Sequence, residues 1–264
     1  MISDIPIKTS IKKSEVFSDF FLVKSAVQFK NFLGNSQLIC GFGFNEVKEL
    51  AEASSRFEVL EHLYATYDFQ QESIRKNSGF SAVKLNTQTE RQVVTSSSVL
   101  TGPVPDFIGS NTDANGLGSH VVYKKALEHA LLEVIERDCL ARLWYEDLKI
   151  IEVEDACEVI DSFRVRFFVM NFLSFTPVIA IVNNPKEGIW ALGSAVRYSL
   201  DEALQHSKHE AMMLIEGSLI ENGFSYSRDI EKRILSLKNG QISLLRETFV
   251  QSKISGHDNI INLF

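Results

Sequence analysis

The strongest constraint on this chain is a spacing that occurs three times. From Glu58, Ala51 lies seven residues earlier and Gly41 seventeen earlier; from Glu133, Ala126 and Gly116 stand at the same distances, and from Glu210, Ala203 and Gly193 do so again. The first two copies carry a second acid three residues on, Glu61 and Glu136, and the third has Met213 there. Residues three apart on a helix share a face. Each copy therefore reads as a short strand ending at a glycine turn, a polar loop, and an amphipathic helix with the acid in its middle. Copies roughly 75 residues apart are too widely spaced for a solenoid, whose repeats run about 20 to 50 residues. Three pseudo-symmetric units within one fold are expected instead.

The middle copy, Ala126-Leu127-Glu128-His129-Ala130-Leu131-Leu132-Glu133-Val134-Ile135-Glu136, sets its acids among apolar neighbours. A carboxylate withdrawn from water is costly unless it is paired, so such a pair calls for a cation. Glu-x-x-Glu alone is common on solvated helices, but two pairs in one repeat frame favour a metal. Magnesium bound with a nucleotide takes only one or two protein carboxylates and leaves its other positions to water and phosphate. Glu58, Glu61, Glu133 and Glu136 are the candidate metal ligands, two pairs on facing helices able to hold metals against a triphosphate.

The rest of the sequence narrows the class. With 264 residues and no evident linker, the chain is expected to form one domain, 1–264. A net charge of −7 offers no basic footprint for nucleic acid, and Lys8, Lys12, Lys13 and Lys24 read as a solvated face. The N-terminus lacks a signal peptide's charged start and apolar core. The most apolar stretch, Phe167 to Val182, is interrupted by Asn171, Ser174, Thr176 and Pro177, which predicts two buried strands and no membrane span. A soluble, cytoplasmic protein is expected. Cys40, Cys139 and Cys157 show neither disulfide nor zinc spacing, and Cys139 is assigned to the core. His206 and His209 both precede Glu210, the wrong order for His-Glu-x-x-His, and read as helix-surface histidines. His62 and His129, beside the acidic pairs, read as supporting or packing groups.

The segment Thr112-Asp113-Ala114-Asn115-Gly116-Leu117-Gly118, followed by Glu133-Val134-Ile135-Glu136-Arg137-Asp138, resembles the signature of the YcaO family. Ser54-Ser55-Arg56-Phe57-Glu58-Val59-Leu60-Glu61 resembles that family's first acidic helix, and Gly193 to Glu210 its third repeat. The resemblance spans residues 38–216.

It implies an enzyme that uses ATP and Mg2+ to activate a peptide-backbone amide. Members of this kind act as cyclodehydratases in the biosynthesis of ribosomally made peptides such as bacteriocins, turning Cys, Ser or Thr into azolines; relatives make thioamides or amidines. By the same resemblance Glu58, Glu61, Glu133 and Glu136 hold magnesium and, with Glu210, line the nucleotide site, and Arg137 contacts phosphate. Ser54 and Ser55 are candidates for hydroxyl contacts to phosphate, or are helix-capping and surface serines. Lys125 stands where many members have an acid, and either pairs with a phosphate in catalysis or neutralises the carboxylates. Met213 replaces a frequent Gln and His62 a frequent arginine, and the segment after Gly217 is shorter than in many members. The alternative reading is a truncated, non-catalytic scaffold or peptide-binding component of a modification complex. The implied partners are a precursor peptide and a leader-binding protein resembling a ubiquitin-activating enzyme.

The fold expected is a single mixed α/β (α+β) domain with sheets covered by the three acid-bearing helices. Strands are expected at Leu38 to Gly43, Val93 to Leu100, Arg164 to Asn171, Val178 to Asn183 and Ile189 to Val196. Helices are expected at Val47 to Phe69, Tyr123 to Glu146 and Leu200 to Glu221, with Asp201 capping the last.

Overall fold

The structure, a computed structural model, describes residues 6–30, 36–66, 80–83, 91–94, 116–145, 150–170, 175–184, 186, 189–219 and 253–254. It is a mixed α+β protein in which two compact units are separable: Met1–Lys12 with Phe21–Val134, and Lys13–Phe20 with Ile135–Phe264.

In the first unit, strands β1 (Lys8–Lys13), β2 (Phe21–Lys30) and β3 (Ser36–Asn45) form a sheet in that order, with β2 and β3 antiparallel. Helix α1 (Lys48–Ala65) lies on β2 and β3. Its buried residues Ala51, Ser55, Val59 and Leu63 fall four apart, the stripe of a helix pressed on a sheet. Val27, Val59 and Leu63 form a buried core flanked by Ile7, Phe29 and Ile39. Burying each Val or Leu contributes about 1.5–3 kcal/mol before entropy is counted. Strands β4 (Phe80–Val83) and β5 (Arg91–Val94) make an antiparallel pair.

The second unit is built on a sheet of order β10-β9-β8-β6-β11, with β7 also pairing to β8. Its strands are β6 (Ile150–Val153), β7 (Glu158–Ile160), β8 (Phe163–Met170), β9 (Thr176–Asn184), β10 (Ile189–Arg197) and β11 (Lys253–Ile254). All pairings are antiparallel except that of β11 with β6. β8 alternates at first and is then buried at four successive residues, Phe167 to Met170, so both its faces are covered there. The two buried strands expected between Phe167 and Val182 are β8 and β9. Helix α3 (Leu200–Leu219) packs on β9 and β10. Helix α2 (Tyr123–Tyr145) contributes residues to both units, and its C-terminal half joins the second core, where Cys139, Ile150, Phe168, Met170 and Ile179 are buried together.

A buried carboxylate organises the N-terminal part of this unit. Glu216 is fully buried on α3 and accepts the hydroxyl of Ser14 and the backbone N–H groups of Glu15, at 2.9 Å, and Val16, at 3.2 Å. Phe17 packs on Phe163 and Phe20 meets the His209 ring edge-on. His209 is thus half-buried in an aromatic contact, which corrects its expected surface position; His206 is exposed.

The three expected helices and four of the expected strands occur, with the tails at 67–69, 146, 171 and 220–221 outside the described residues; of the strand expected at Val93 to Leu100, only Val93 and Val94 are described, and they lie in β5. Asp201 is not the cap of α3. The Ser199 hydroxyl accepts the Glu202 N–H at 3.2 Å and so occupies the N-cap, which places Asp201 inside the first turn. Cys139 is buried, and desolvation pushes its thiol up to about 11, the behaviour of an inert core cysteine. All three cysteines are free. Among the described residues no helix is long and apolar enough to cross a membrane.

Candidate active site

The repeat acquires its physical meaning at the glycines. Gly41 lies inside β3 and Gly193 inside β10. A Cβ on Gly41 would strike the Ser55 carbonyl and stand 2.6 Å from the Val59 nitrogen; one on Gly193 would strike the Ser207 carbonyl and stand 2.5 Å from the Ala211 nitrogen. Strand and helix backbones touch at these points, and only a residue without a Cβ allows it. The turn role expected of these two glycines is therefore corrected. Gly116 alone fits it: the residue is in a turn with φ of 78°. No strand precedes α2 within 116–122, so the strand–loop–helix unit is seen in the first and third copies.

In the first and third copies this close approach delivers a backbone donor to the acid, and in the middle copy the turn does. Phe42 N–H donates to Glu58 Oε2 at 2.6 Å and Ser194 N–H to Glu210 Oε2 at 2.6 Å. In the middle copy Gly116 N–H donates to Glu133 Oε2 at 3.2 Å. The fixed offset is thus the length of chain needed to lead from a donor on the glycine segment to a carboxylate on the following helix. Such charge-assisted bonds are roughly twice as strong as neutral ones.

The second acids are held by the glycine segment of the next copy. Glu61 Oε1 accepts Ser119 N–H at 2.8 Å, while the Ser119 hydroxyl donates to the Phe57 carbonyl at 3.0 Å. Glu136 Oε1 accepts the Ser194 hydroxyl at 2.7 Å.

In the first unit the carboxylates are matched by imidazoles. His62 Nε2 stands 3.7 Å from Glu58 Oε1, and His129 Nδ1 stands 3.6 Å from Glu61 Oε1. The hydrogen bond that His62 donates to Glu58 holds His62 above the ordinary histidine range; burial opposes it, and the charges of Glu58, Glu61 and Glu133 add to it. Glu58, Glu61 and Glu133 thus all bring negative charge and oxygen donors to the neighbourhood of His62. That set fits a hard divalent ion such as magnesium. Among the described residues no group of three His, Cys, Asp or Glu side chains is placed so that it could hold a metal ion by itself, so an ion here would draw further ligands from a phosphate or water.

In the second unit the matching cations are guanidiniums. Arg137 Nη1 lies 3.8 Å from Glu136 Oε1 and is substantially exposed. Arg197, half-buried at the end of β10, donates from Nη1 to the Val196 carbonyl at 2.7 Å. Desolvation lowers its pKa, and the charges of Glu136, Glu202 and Glu210 oppose that. Glu210 is pushed up to about 7, first by desolvation and then by the Glu136 charge; the Ser194 N–H, Arg137 and Arg197 pull it back.

Other expected site residues fall differently. Ser55 is fully buried, its hydroxyl 2.7 Å from Ser25 Oγ and donating to the Glu52 carbonyl at 2.9 Å. In this structure its hydroxyl is enclosed and committed to these partners. Ser54 is exposed on α1. Lys125 is exposed in the first turn of α2 and pairs with Glu128 at 3.1 Å. Eleven residues of helix, about 16 Å of rise, separate it from Glu136. Thr112 to Asn115 lie outside the described residues. Sequence reasoning missed Ser119, Ser194 and Arg197. The available signal was the offset itself, since Ser194 immediately follows the repeat glycine.

A family described as YcaO cyclodehydratase, ATP- and Mg2+-binding, matches residues 46–233. The structure of YcaO from Methanopyrus kandleri bound with AMPPCP and Mg2+ superposes with a TM-score of 0.64 at 15% identity, covering 94% of this chain and 70% of that one. A heterocyclase in complex with substrate and cofactor superposes with a TM-score of 0.63 at 12% identity, covering 83% of this chain and 39% of that one. No curated protein matches in sequence. The two structural likenesses establish a shared fold, and the family match spans well over half the chain: this protein belongs to the YcaO family, a family of ATP- and Mg2+-binding, cyclodehydratase-type enzymes.

Proposed function

We propose that this protein uses Mg-ATP to phosphorylate a backbone amide of a ribosomally made precursor peptide, cyclising Cys, Ser or Thr to azolines. The observation that carries the reading is the repeated device at the acids: three carboxylates, Glu58, Glu133 and Glu210, each fixed by a backbone N–H of a glycine segment. A surface acid has no need of such fixing, whereas preorganised charge is what phosphoryl transfer requires. Residues 1–264 would act as one catalytic domain in the cytoplasm. A ubiquitin-activating-enzyme-like partner would present the peptide's leader.

Glu58, Glu61, Glu133 and Glu136 would hold magnesium, and Glu210 would border the nucleotide. Bound magnesium would supply neutralisation of the phosphate oxygens. Within the chain, the Phe42 and Gly116 amides keep Glu58 and Glu133 aimed, and the Ser119 amide keeps Glu61 in place. Arg137, exposed beside Glu136, would donate to a phosphate oxygen, and Ser54 is the remaining hydroxyl candidate. A scaffold without turnover would follow from Lys125 neutralising the acids. Lys125 pairs with Glu128 instead, which favours the enzyme.

Calorimetric titration with ATP, with and without magnesium, tests the proposal. Saturable, magnesium-dependent binding is expected in the wild type and its loss in Glu133→Gln. Coupled ADP release and loss of one water mass per ring from a co-produced peptide would establish the product class. Absence of magnesium-dependent ATP binding by the folded chain would sink the reading.

A further inference from the structure

We infer that Ser194 is a positioning residue that holds two repelling carboxylates together for a cation, an inference that rests on the proposed Mg-ATP reading. Ser194 is 6% exposed. From this one residue the amide donates to Glu210 at 2.6 Å and the hydroxyl to Glu136 at 2.7 Å. Two carboxylates tied to one residue repel each other, and the charge of Glu136 is felt at Glu210. That juxtaposition costs stability unless a proton or a positive charge shares it. Arg137 and Arg197 supply part of it.

The comparison with the other copies sharpens the assignment. Glu61 receives its donor from a backbone amide, that of Ser119, which no side-chain change removes. Glu136 receives its donor from a hydroxyl, so its placement depends on the identity of residue 194. The residues at the equivalent offset after the other repeat glycines, Phe42 and Leu117, have no hydroxyl to offer. Ser194 also combines in one position the two tasks that the first unit divides between Phe42 and Ser119.

Ser194→Ala deletes the hydroxyl and keeps the amide, so Glu210 retains its donor and Glu136 loses one. Groups that orient a metal-binding carboxylate typically change metal affinity about 10- to 100-fold when removed. The experiment is a magnesium titration of the ATP-saturated protein by calorimetry, on wild type, Ser194→Ala, Glu136→Gln and the double variant, with thermal unfolding of each. The expected result is magnesium affinity about tenfold or more weaker in Ser194→Ala, with metal-free ATP affinity and melting temperature close to wild type. Adding Ser194→Ala to Glu136→Gln should cost no further affinity, because Ser194 acts through Glu136. Wild-type magnesium affinity in Ser194→Ala, or an undiminished further loss in the double variant, overturns the inference and leaves the Mg-ATP reading standing. A wild type that binds no Mg-ATP overturns both.

Discussion

Glu58 in the first unit and Glu210 in the second are placed by the same backbone device, and the acids of the two units are answered by different cations. In the first unit Glu58 and Glu61 face His62 and His129. In the second, Glu136 and Glu210 face Arg137 and Arg197. An imidazole can surrender its proton when another cation arrives, whereas a guanidinium cannot. On the proposed Mg-ATP reading, the first set would suit a metal and the second, with its permanent positive charge, a phosphate. A shared repeat fixes where a carboxylate goes, and the residues opposite it decide what it does.

The largest effect should come from breaking the shared part. Gly41→Ala or Gly193→Ala forces a Cβ into helix backbone, and each should cost about 3 kcal/mol or more in denaturant unfolding, at or above the upper end for overpacking. Gly116→Ala meets the Val134 side chain at 2.7 Å, helix backbone no nearer than 3.8 Å, and a left-handed φ, and should cost about 1–2 kcal/mol. Equal costs at all three positions would mean that close backbone approach is not the common principle.

The next effect separates the two units by pH. In Glu210 the folded carboxyl sits near 7 and the ordinary value is 4.5. As pH rises between those values the unfolded chain ionises first, so the native state loses stability that is fully present below 4.5. Glu210→Gln does not titrate. Its stability relative to wild type should therefore climb by roughly 3 kcal/mol from pH 4.5 to 8, as read from urea midpoints at several pH values. A flat difference would show that Glu210 is ionised throughout.

The smallest effect has the same sign and a different cause. His62 is raised by Glu58, so its contribution is complete below the unfolded histidine value and fades as pH rises through the folded one. Both side chains are more than a third exposed, which limits the contribution to a few tenths of a kcal/mol. His62→Gln should be slightly less stable than wild type at pH 5.5 and indistinguishable at pH 8.5. A gap persisting at pH 8.5 would mean that His62 acts by packing.

The helices were legible because each shows an apolar stripe of helical period around its acid, and β8, β9 and β10 because their apolar runs are long. β1, Lys-Thr-Ser-Ile-Lys-Lys, was hidden by its exposed lysines, which read as a solvated face. β2 was hidden because Ser25, fully buried, interrupts the alternation of Val23 and Val27; the buried position is satisfied by Ser55 and invisible to hydropathy. The candidate acids could be read from spacing alone. Their donors could not, since a backbone N–H has no letter in the sequence, and Ser119, Ser194 and Arg197 become significant only once the glycine segments are set against the helices.

The Glu216 anchor has a practical corollary for anyone trimming this protein. Ser14, Glu15 and Val16 are the donors to its carboxylate, and Phe17 beside them has no exposed surface. A shortened version starting after residue 20 would strand a buried carboxyl group without its donors inside the second unit and open a hole next to Phe163. Fusion partners and protease sites belong upstream of residue 6, and a clone that discards the first twenty codons as an ornamental leader should yield insoluble protein.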